Sequence, residues 1–251
     1  MALTRIDFNC DLGEGCDDAA VLPFLSSANI ACGFHAGDPG SMQTTLALCL
    51  DHDVAIGAHP SLFDREGFGR RELDVTAMQA HALVLYQVGA MQALARAAGS
   101  ALHHVKPHGA LYNLSARSPD IADAIARAVR DADPALILVG LAASESTAAG
   151  ERLGLRVAHE VFAERRYEAD GRLTPRAMAG AVIENLDEAL AQVRQLLRDG
   201  SVTTRTGERL PLRADTLCLH GDRPDAAEFA RALHQALRAE GVEIRAFGAS
   251  P

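Results

Sequence analysis

The amino-acid sequence predicts an α/β protein built as a closed (β/α) barrel. About eight strand-like runs alternate with helix-like segments, which is typical of a parallel sheet with right-handed crossovers. An open, doubly wound sheet would give the same alternation. However, the first βα turn lacks G-x-G-x-x-G, and no G-x-x-x-x-G-K-[ST] occurs in the chain. Polar residues at many predicted strand ends favour the barrel, because only a nearly closed barrel brings so many ends together.

The predicted strands are short apolar or alternating runs, most of them ending at glycine or at polar residues. The first is followed by a predicted turn, Cys10–Gly15, which carries the carboxylates Asp11 and Glu14. The run LILVGL has the continuous apolar character of a strand that is buried on both faces. In chain order the predicted strands are Leu3–Asn9, Ala28–Gly33, Val54–Ala58, His103–Gly109, Leu136–Leu141, Arg156–Ala163, Thr216–Gly221 and Glu243–Phe247.

The predicted helices combine apolar positions at helical spacing with recognisable start and stop residues. Thr76 and Gln79 form a capping box that opens a long helix, whose apolar face runs from Met78 to Ala98 before Gly99 stops it. A cap followed by a proline starts another helix at Ser118. The remaining helices are predicted at Ser41–Asp51, Ser144–Leu153, Leu186–Leu197 (closed by Gly200) and Asp225–Glu240.

Length and composition indicate one soluble domain spanning residues 1–251. The chain is 48% hydrophobic and has no tryptophan, so its core must be built from small aliphatic side chains. A formal charge of −9 argues against nucleic acid or an anionic membrane as a partner. No secretory signal or membrane span is visible. Five cysteines without a C-x-x-C pair are typical of reduced thiols, and we therefore expect a cytoplasmic protein.

Residues able to do chemistry recur at the predicted carboxyl ends of strands. Four of the ten histidines stand there, each within two residues of a glycine, and carboxylates and a lysine occupy equivalent ends. Strand ends and their loops converge on this face in parallel α/β folds, where catalytic groups collect. The set comprises His35, His59, His108 and His220, together with Asp11, Asp38, Lys106, Glu160 and Asp222.

Each member of this set also has a purely structural explanation. A single histidine such as His35 or His108 could be a hydrogen-bonded core residue, and Asp38 could cap the helix that follows it. The set as a whole is better explained as a site, because polar groups at a buried face are costly unless they are used.

Basic residues add two further candidates. Lys106 is the single lysine among 24 lysine and arginine residues, which indicates a position that needs a compact point charge. Arg65, Arg70 and Arg71 cluster in the glycine-rich loop after the third strand and suit a carboxylate or phosphate. A solvated loop held by salt bridges would have the same composition, so this second assignment stays open.

Several long strings resemble one known family. The strings DFNCDLGEG, SANIACGFHAGDP, GAHPS, GFGRR, HVKPHGALYN, HEVFAERRY and CLHGD follow one another from Asp7 to about Asp222. They resemble the LamB/YcsF family, which is the family of 5-oxoprolinase A subunits, and strings of this length are specific. Departures from the family pattern at Cys16–Asp17, Leu62–Phe63 and Glu164 lie at loop edges.

The resemblance implies a distorted, seven-stranded (β/α) barrel similar to the glycoside hydrolase/deacetylase superfamily. It also implies ATP-dependent opening of 5-oxo-L-proline to L-glutamate, in a complex with subunits B and C. ATP would then be a co-substrate bound mainly by the partner subunits, which would explain why no nucleotide fingerprint is found here.

On this hypothesis the barrel hydrolyses a lactam that phosphorylation has activated. Asp11 or Glu14, with His35, His59 or His108, would supply the general base. Lys106 with Arg70 and Arg71 would hold the phosphate and the substrate carboxylate. His220 and Asp222 would orient water or complete the rim, and the binding set also includes Asn9, Asp38, Asn113 and Glu160.

A divalent metal is an open alternative, because Asp11, His35 and His59 resemble the Asp-His-His set of the deacetylases, although the activity of the family does not require one. Two rival functions stay open. A metal-dependent amidohydrolase or deacetylase would act without ATP and in the isolated chain. A non-catalytic subunit would only bind 5-oxoproline or its partners. A sugar hydrolase is less favoured, since histidines outnumber suitable carboxylate pairs at the strand ends. Whether the chain forms a homo-oligomer is also open.

Overall fold

The computed structural model describes residues 5–219 and 225–248. Strands and helices alternate along most of this part of the chain. The strands are β1 (Arg5–Leu12), β2 (Ser27–Ala31), β3 (Ala55–His59), β4 (His104–Val105), β5 (Ile137–Leu141), β6 (Arg156–Phe162), β7 (Ser201–Thr203), β8 (Arg209–Pro211), β9 (Thr216–Leu219) and β10 (Glu243–Ile244). The helices are α1 (Asp18–Val21), α2 (Pro39–Asp51), α3 (Ala77–Ala97), α4 (Gly109–Arg117), α5 (Pro119–Ala132), α6 (Glu145–Arg152), α7 (Leu186–Asp199) and α8 (Ala226–Ala239).

Seven parallel strands close into a barrel in the order β1-β2-β3-β4-β5-β6-β9. The ring closes where β9 pairs with β1, placing Asn9 opposite Cys218. The predicted seven-stranded barrel is therefore confirmed, and the open doubly wound sheet is excluded. The last predicted strand, β10, pairs with the first two residues of β1 and stays outside the ring. An antiparallel hairpin, β7–β8, was not predicted, because each of its strands has only three residues.

The ends of two strands differ from the prediction at the site. Strand β1 continues to Leu12, because Asn9–Leu12 pair with Ser27–Ile30 of β2, so Asp11 lies in a strand and not in a turn. Strand β4 is only two residues long, since Pro107 has no N–H to give to a ladder and the chain enters α4 at Gly109. Helix α4 itself was not predicted.

The predicted capping box of α3 is confirmed, since Thr76 accepts from Gln79 N and the Gln79 side chain accepts from Thr76 N. The predicted apolar face of this helix is partly wrong. Met78 is 80% exposed, whereas Gln87 is fully buried. Gln87 turns inward because its amide binds both N and O of Ser61 and so anchors the loop after β3. Among the described residues, no helix has the length and apolarity needed to cross a bilayer.

The apolar core lies between the sheet and its helices, while the barrel interior is polar. Asn29 donates to Asn9 Oδ1 over 2.8 Å, and His104 Nε2 lies 2.9 Å from Asn29 Oδ1. Asn9 in turn donates to Glu160 and Thr216, so these bonds link β1, β2, β4, β6 and β9. Gly57 makes room for the ring of His104, because a Cβ at Gly57 would lie 2.1 Å from His104 Nε2.

Candidate active site

Most of the predicted residues meet at the carboxyl end of the barrel. Asp11 lies on β1, His59 ends β3, Lys106 and His108 follow β4, and Glu160 lies on β6. Two more side chains come from loops, with Glu14 following β1 and His35 following β2. Each of these seven side chains is at least nine-tenths buried. The convergence of strand ends thus produces a water-poor cluster of ionisable groups.

Lys106 forms an ion pair network at the base of this cluster. Its Nζ lies 2.8 Å from Asp11 Oδ1, 2.9 Å from Glu160 Oε1 and 3.3 Å from Asn9 Oδ1. Cys218 Sγ is 3.2 Å away on the closing strand. Burial alone would lower the pKa of Lys106, but the two carboxylates raise it well above its ordinary value. Lys106 is therefore an ammonium whose donors are used by the protein itself.

A second group, the histidine cluster, consists of Glu14, His35, His59 and His108. Glu14 Oε1 lies 2.8 Å from His35 Nε2, 3.3 Å from His108 Nδ1 and 3.8 Å from His59 Nε2. His108 Nδ1 is 2.9 Å from His59 Nε2, and the rings of His35 and His108 stack with centroids 3.8 Å apart. Asp11 connects the two groups, since its Oδ2 lies 3.2 Å from His59 Nε2 while Oδ1 accepts from Lys106.

Backbone carbonyls fix the protons on two of these rings. His59 Nδ1 lies 2.7 Å from Lys106 O, and His108 Nε2 lies 2.9 Å from Phe68 O. A carbonyl can only accept, so each of these nitrogens carries a hydrogen. In the neutral rings the lone pairs of His59 Nε2 and His108 Nδ1 then face one another and Glu14. Such an arrangement needs a positive charge between the atoms, either a proton or a metal ion.

Burial keeps the stacked histidines neutral. It lowers the pKa of His35 to about 3, with repulsion from His59 as the next cause. It also lowers the pKa of His108 far below its ordinary value, again with His59 as the second cause. Neutral imidazole is the form that binds metals and accepts protons.

The loop of residues 60–71 packs over the histidine cluster. Gly69 has φ +64, and a Cβ there would lie 2.8 Å from His35 Cβ and 2.9 Å from His108 Cδ2. Phe68, also at positive φ, places its carbonyl on His108. Asp64 holds the loop together by accepting from Gly67 N and from the guanidinium of Arg71. The close approach of backbone to the histidines therefore depends on glycine at position 69.

A cavity of about 420 Å³ opens above the two groups, with Asp11, His59, Lys106 and His108 at its base. Of the predicted binding residues, Arg70 and Asn113 line it. Residues that sequence reasoning did not assign complete the walls, among them Tyr112, Phe162, Arg165, Thr174 and Arg176. Most of these belong to the loop after β6, whose polar sequence gives no indication of which side chains point inward.

Four predicted binding residues do not line the cavity, and two cannot be placed. Asn9 and Glu160 are buried beneath it, in contact with Lys106. Asp38 is exposed and caps α2 by accepting hydrogen bonds from Gly40 N and Ser41 N. It is therefore a helix cap, the alternative to a binding role that the sequence left open. Arg71 does not line the cavity, because Asp64 binds its guanidinium. His220 and Asp222 lie outside the described residues. Lys106 is in the cluster, but its carboxylate partners leave it unsuited to clamp a phosphate.

Within the described residues, one group of side chains has the arrangement of a metal-ligand set. One ligand atom from each of Glu14, His35, His59 and His108 lies within 4.8 Å of the others. This ligand set differs from the predicted set of Asp11, His35 and His59. Glu14 and His108 join the two histidines, and Asp11 is not a ligand because it is already bound to Lys106.

Fold and site together define a (β/α)7-barrel protein with a histidine–carboxylate cluster at the carboxyl ends of its strands. The profile of the LamB/YcsF family matches residues 6–250, and the chain belongs to that family. The A subunit of 5-oxoprolinase from Bordetella pertussis is 54% identical over 247 residues, covering 96% of this chain and 98% of the relative. The corresponding A subunit from Bacillus subtilis is 48% identical over 248 residues, covering 96% of each.

A solved structure shares the same architecture. The lactam utilization protein from Thermus thermophilus is 44% identical and superposes with a TM-score of 0.91. The match covers 97% of this chain and all of that one. The family resemblance seen in the sequence is therefore confirmed.

Proposed function

We propose that this chain is the lactam-opening subunit of an ATP-dependent 5-oxoprolinase, which converts 5-oxo-L-proline to L-glutamate. The observation that carries the proposal is the near-full-length likeness to relatives named as the A subunit of 5-oxoprolinase. The buried histidine–carboxylate cluster supports it, because hydrolysis of an amide needs a general base and a proton donor in a water-poor site.

The chemistry explains why ATP is required. Transfer of the γ-phosphoryl group to the lactam oxygen releases ADP and makes ring carbon C5 electrophilic. Water adds to C5, the C5–N bond breaks with its electron pair going to nitrogen, and nitrogen takes up a proton. The product is an acyl phosphate, which a second water converts to glutamate and phosphate. In total, two waters and one ATP give glutamate, ADP and phosphate.

The histidine cluster contains the proton-transfer groups for these steps. Glu14 lies behind His59 and His108 and accepts the proton of the attacking water through these two imidazoles, which line the cavity. His59 and His108, 2.9 Å apart, pass the proton to the ring nitrogen. Asp11 Oδ2 lies 3.2 Å from the same nitrogen, His59 Nε2, and stabilises a proton there, while Lys106 O orients the ring from its Nδ1 side. Lys106 contributes a fixed positive charge below the cavity.

A divalent cation fits the same cluster. Three neutral imidazoles and one carboxylate are a ligand set that Zn²⁺ and related ions prefer, and the facing lone pairs of His59 and His108 call for a positive charge. Glu14, His35, His59 and His108 would hold the ion. When bound, it would supply Lewis-acid polarisation of a carbonyl and a lower pKa for water.

ATP binding falls mainly to the partner subunits in this proposal. The chain has neither a G-x-G-x-x-G turn after its first strand nor a G-x-x-x-x-G-K-[ST] loop. The relatives are named as one lettered component of 5-oxoprolinase, which implies further components, and we assign these as subunits B and C. Five free thiols fit a cytoplasmic site of action.

The test is glutamate release from 5-oxoproline, measured with this chain alone and after addition of subunits B and C, with and without ATP. The proposal expects activity only in the ATP-containing mixture, and a loss of at least a hundredfold in kcat with Glu14→Gln. His81→Gln, on the surface beside Asp131, is the matched control and should retain full activity.

A metal-dependent amidohydrolase that needs no ATP is the second candidate, favoured by the ligand arrangement of the cluster. It expects activity in the isolated chain, indifferent to ATP and abolished by a chelator. A non-catalytic binding subunit would instead leave the activity of the mixture unchanged when Glu14 is replaced.

A further inference from the structure

One buried cation in the cavity has no role in the proposed reaction steps. Arg165, in the loop after β6, is only 7% exposed although it is an arginine. Its Nη2 donates to Thr174 O over 2.7 Å. Its Nε is buried and has no hydrogen-bond partner among the described residues. The side chain lines the same cavity as His59 and His108.

An arginine in this environment favours an anionic ligand. Burial lowers the pKa of Arg165 to about 10, and repulsion from Arg176 is the next cause. Glu164 opposes this change only in part. A buried N–H that donates to nothing costs free energy, and an oxyanion in the cavity would remove that cost.

Several other cations that line the cavity are already bound to partners. Lys106 is held by Asp11 and Glu160. Arg117 pairs with Glu72 over 2.6 Å, and Arg172 pairs with Asp170 over 3.2 Å. Of the substrate clamp that the sequence suggested, Lys106, Arg70 and Arg71, only Arg70 lines the cavity without being held by Asp11 and Glu160 or by Asp64, so a further cation is needed there.

Tyr112 lines the same cavity. It is 6% exposed, burial and the nearby Glu160 carboxylate raise the pKa of its hydroxyl well above the ordinary value, and its ring packs edge-on against Phe162 at 6.1 Å. The cavity wall thus combines an apolar surface with the under-used donor of Arg165, which suits a small ring carrying one anionic group.

We infer that Arg165 forms an oxyanion subsite in this cavity and binds the carboxylate of the cyclic-amide substrate. The identity of that substrate rests on the proposed function. A carboxylate is favoured over a phosphate, because Arg165 Nε is a single free donor beside an apolar wall, within the described residues, which is too few donors for a phosphate dianion. Arg165 is thereby a specificity-determining residue for acidic lactams.

The test compares two lactams that differ only in the carboxylate. Calorimetry measures the Kd of 5-oxoproline and of 2-pyrrolidinone for the wild-type chain and for Arg165→Met. The wild type should bind 5-oxoproline at least tenfold more tightly. In Arg165→Met this preference should vanish through weaker binding of 5-oxoproline, while the Kd of 2-pyrrolidinone stays unchanged. Arg166→Met, whose side chain pairs with Glu188 on the surface, should retain the preference.

Further arms separate the alternatives. Arg165→Lys keeps a positive charge without the Nε–H; it should retain part of the preference, and it decides the test if Arg165→Met fails to fold. Inorganic phosphate is titrated in parallel. If Arg165→Met weakened phosphate binding but left the lactam preference intact, the carboxylate assignment would be wrong. A wild-type chain that binds neither lactam, or binds both equally, would also overturn it.

The subsite and the ATP-coupled reaction can fail separately. If the preference for the carboxylate depends on Arg165 but the chain does not support glutamate release with its partners, the subsite is retained and the proposed reaction is rejected. If glutamate release is unaffected by Arg165→Met, the proposed reaction is retained and the subsite is rejected.

Discussion

Lys106 Nζ lies 2.8 Å from Asp11 Oδ1, so the only lysine of the chain neutralises a carboxylate of the first strand inside the barrel. The same ammonium binds Glu160 at 2.9 Å. A buried ion network of this kind is indispensable once built, because removing one member leaves the others charged and unpaired. Lys106 therefore fixes the geometry around Asp11, and through Asp11 that of His59.

Replacing Lys106 tests this dependence. Lys106→Met should lower the free energy of unfolding by about 3–5 kcal/mol, because two buried carboxylates lose their counter-charge. Urea denaturation of the chain measures the change. The double variant Lys106→Met/Glu160→Met removes one of the unpaired charges and should recover part of the loss. A single variant that loses less than about 1 kcal/mol would contradict a buried ion network, since exposed pairs contribute that little.

Metal binding tests the histidine cluster directly. The wild-type chain should bind one Zn²⁺ in competition with a chromophoric chelator, and Glu14→Gln or His35→Gln should each weaken binding at least tenfold, because each removes one of four ligands. His81→Gln controls for the loss of a surface histidine. Equal affinities in all variants would place the ion elsewhere.

Stability should fall as the pH drops below about 6.5. Burial lowers the pKa of His35 to about 3, so between pH 6.5 and 3 the unfolded state binds a proton that the folded state does not. More protons on the unfolded state mean that stability rises with pH, here by up to about 1.4 kcal/mol per pH unit for this histidine.

Asp7 acts in the opposite direction, because burial raises its pKa to about 6, despite hydrogen bonds from Ser26, Thr216 and Ser27. The contribution of His35 is therefore isolated by comparing variants. In urea titrations from pH 7 to 5 with a chelator present, His35→Gln should reduce the slope of stability against pH by about one proton. An unchanged slope would show that His35 titrates normally in the folded chain.

Packing inside the barrel gives a prediction about Gly57. A Cβ at this position would lie 2.1 Å from His104 Nε2 and 2.4 Å from Cδ2, so Gly57→Ala should destabilise the chain by about 1–3 kcal/mol. Truncating the His104 side chain should remove its clash with the new methyl group. The double variant Gly57→Ala/His104→Ala should therefore lose less free energy of unfolding than the sum of the two single variants.

Gly89 is the matched control for that substitution. It lies in α3 with open space where a Cβ would go, so Gly89→Ala should stabilise the chain by about 0.5–1 kcal/mol. If both glycine variants changed stability in the same direction, the packing explanation for Gly57 would fail.

The barrel and the convergence of its strand ends were predictable from the sequence, because both follow from the alternation of strands and helices. His35, His59, Lys106 and His108 could be found in this way, since each closely follows or ends a strand-like run. The capping role of Asp38 was also legible, because Pro39–Ser41 after it is a typical helix start.

The partners of these residues were not predictable from the chain pattern. Lys106 was expected to face a ligand, but Asp11 and Glu160 bind it from strands that are distant in sequence. Arg165 and Arg71 are alike as arginines in polar loops; one is buried and the other pairs with Asp64. The packing of the loop determines which arginine is buried, and loop packing leaves no periodic pattern in the sequence.

The closure of the barrel by β9 on β1 affects how the protein is made. Asn9 and Thr216, which are hydrogen-bonded in the finished barrel, are 207 residues apart in the chain. During translation, the first strand leaves the ribosome long before its partner. Until residues 216–219 emerge, the nascent sheet keeps unpaired edges and its polar interior stays open to water. Chains truncated before Thr216 should therefore depend on chaperones and proteases, whatever helices they have already formed.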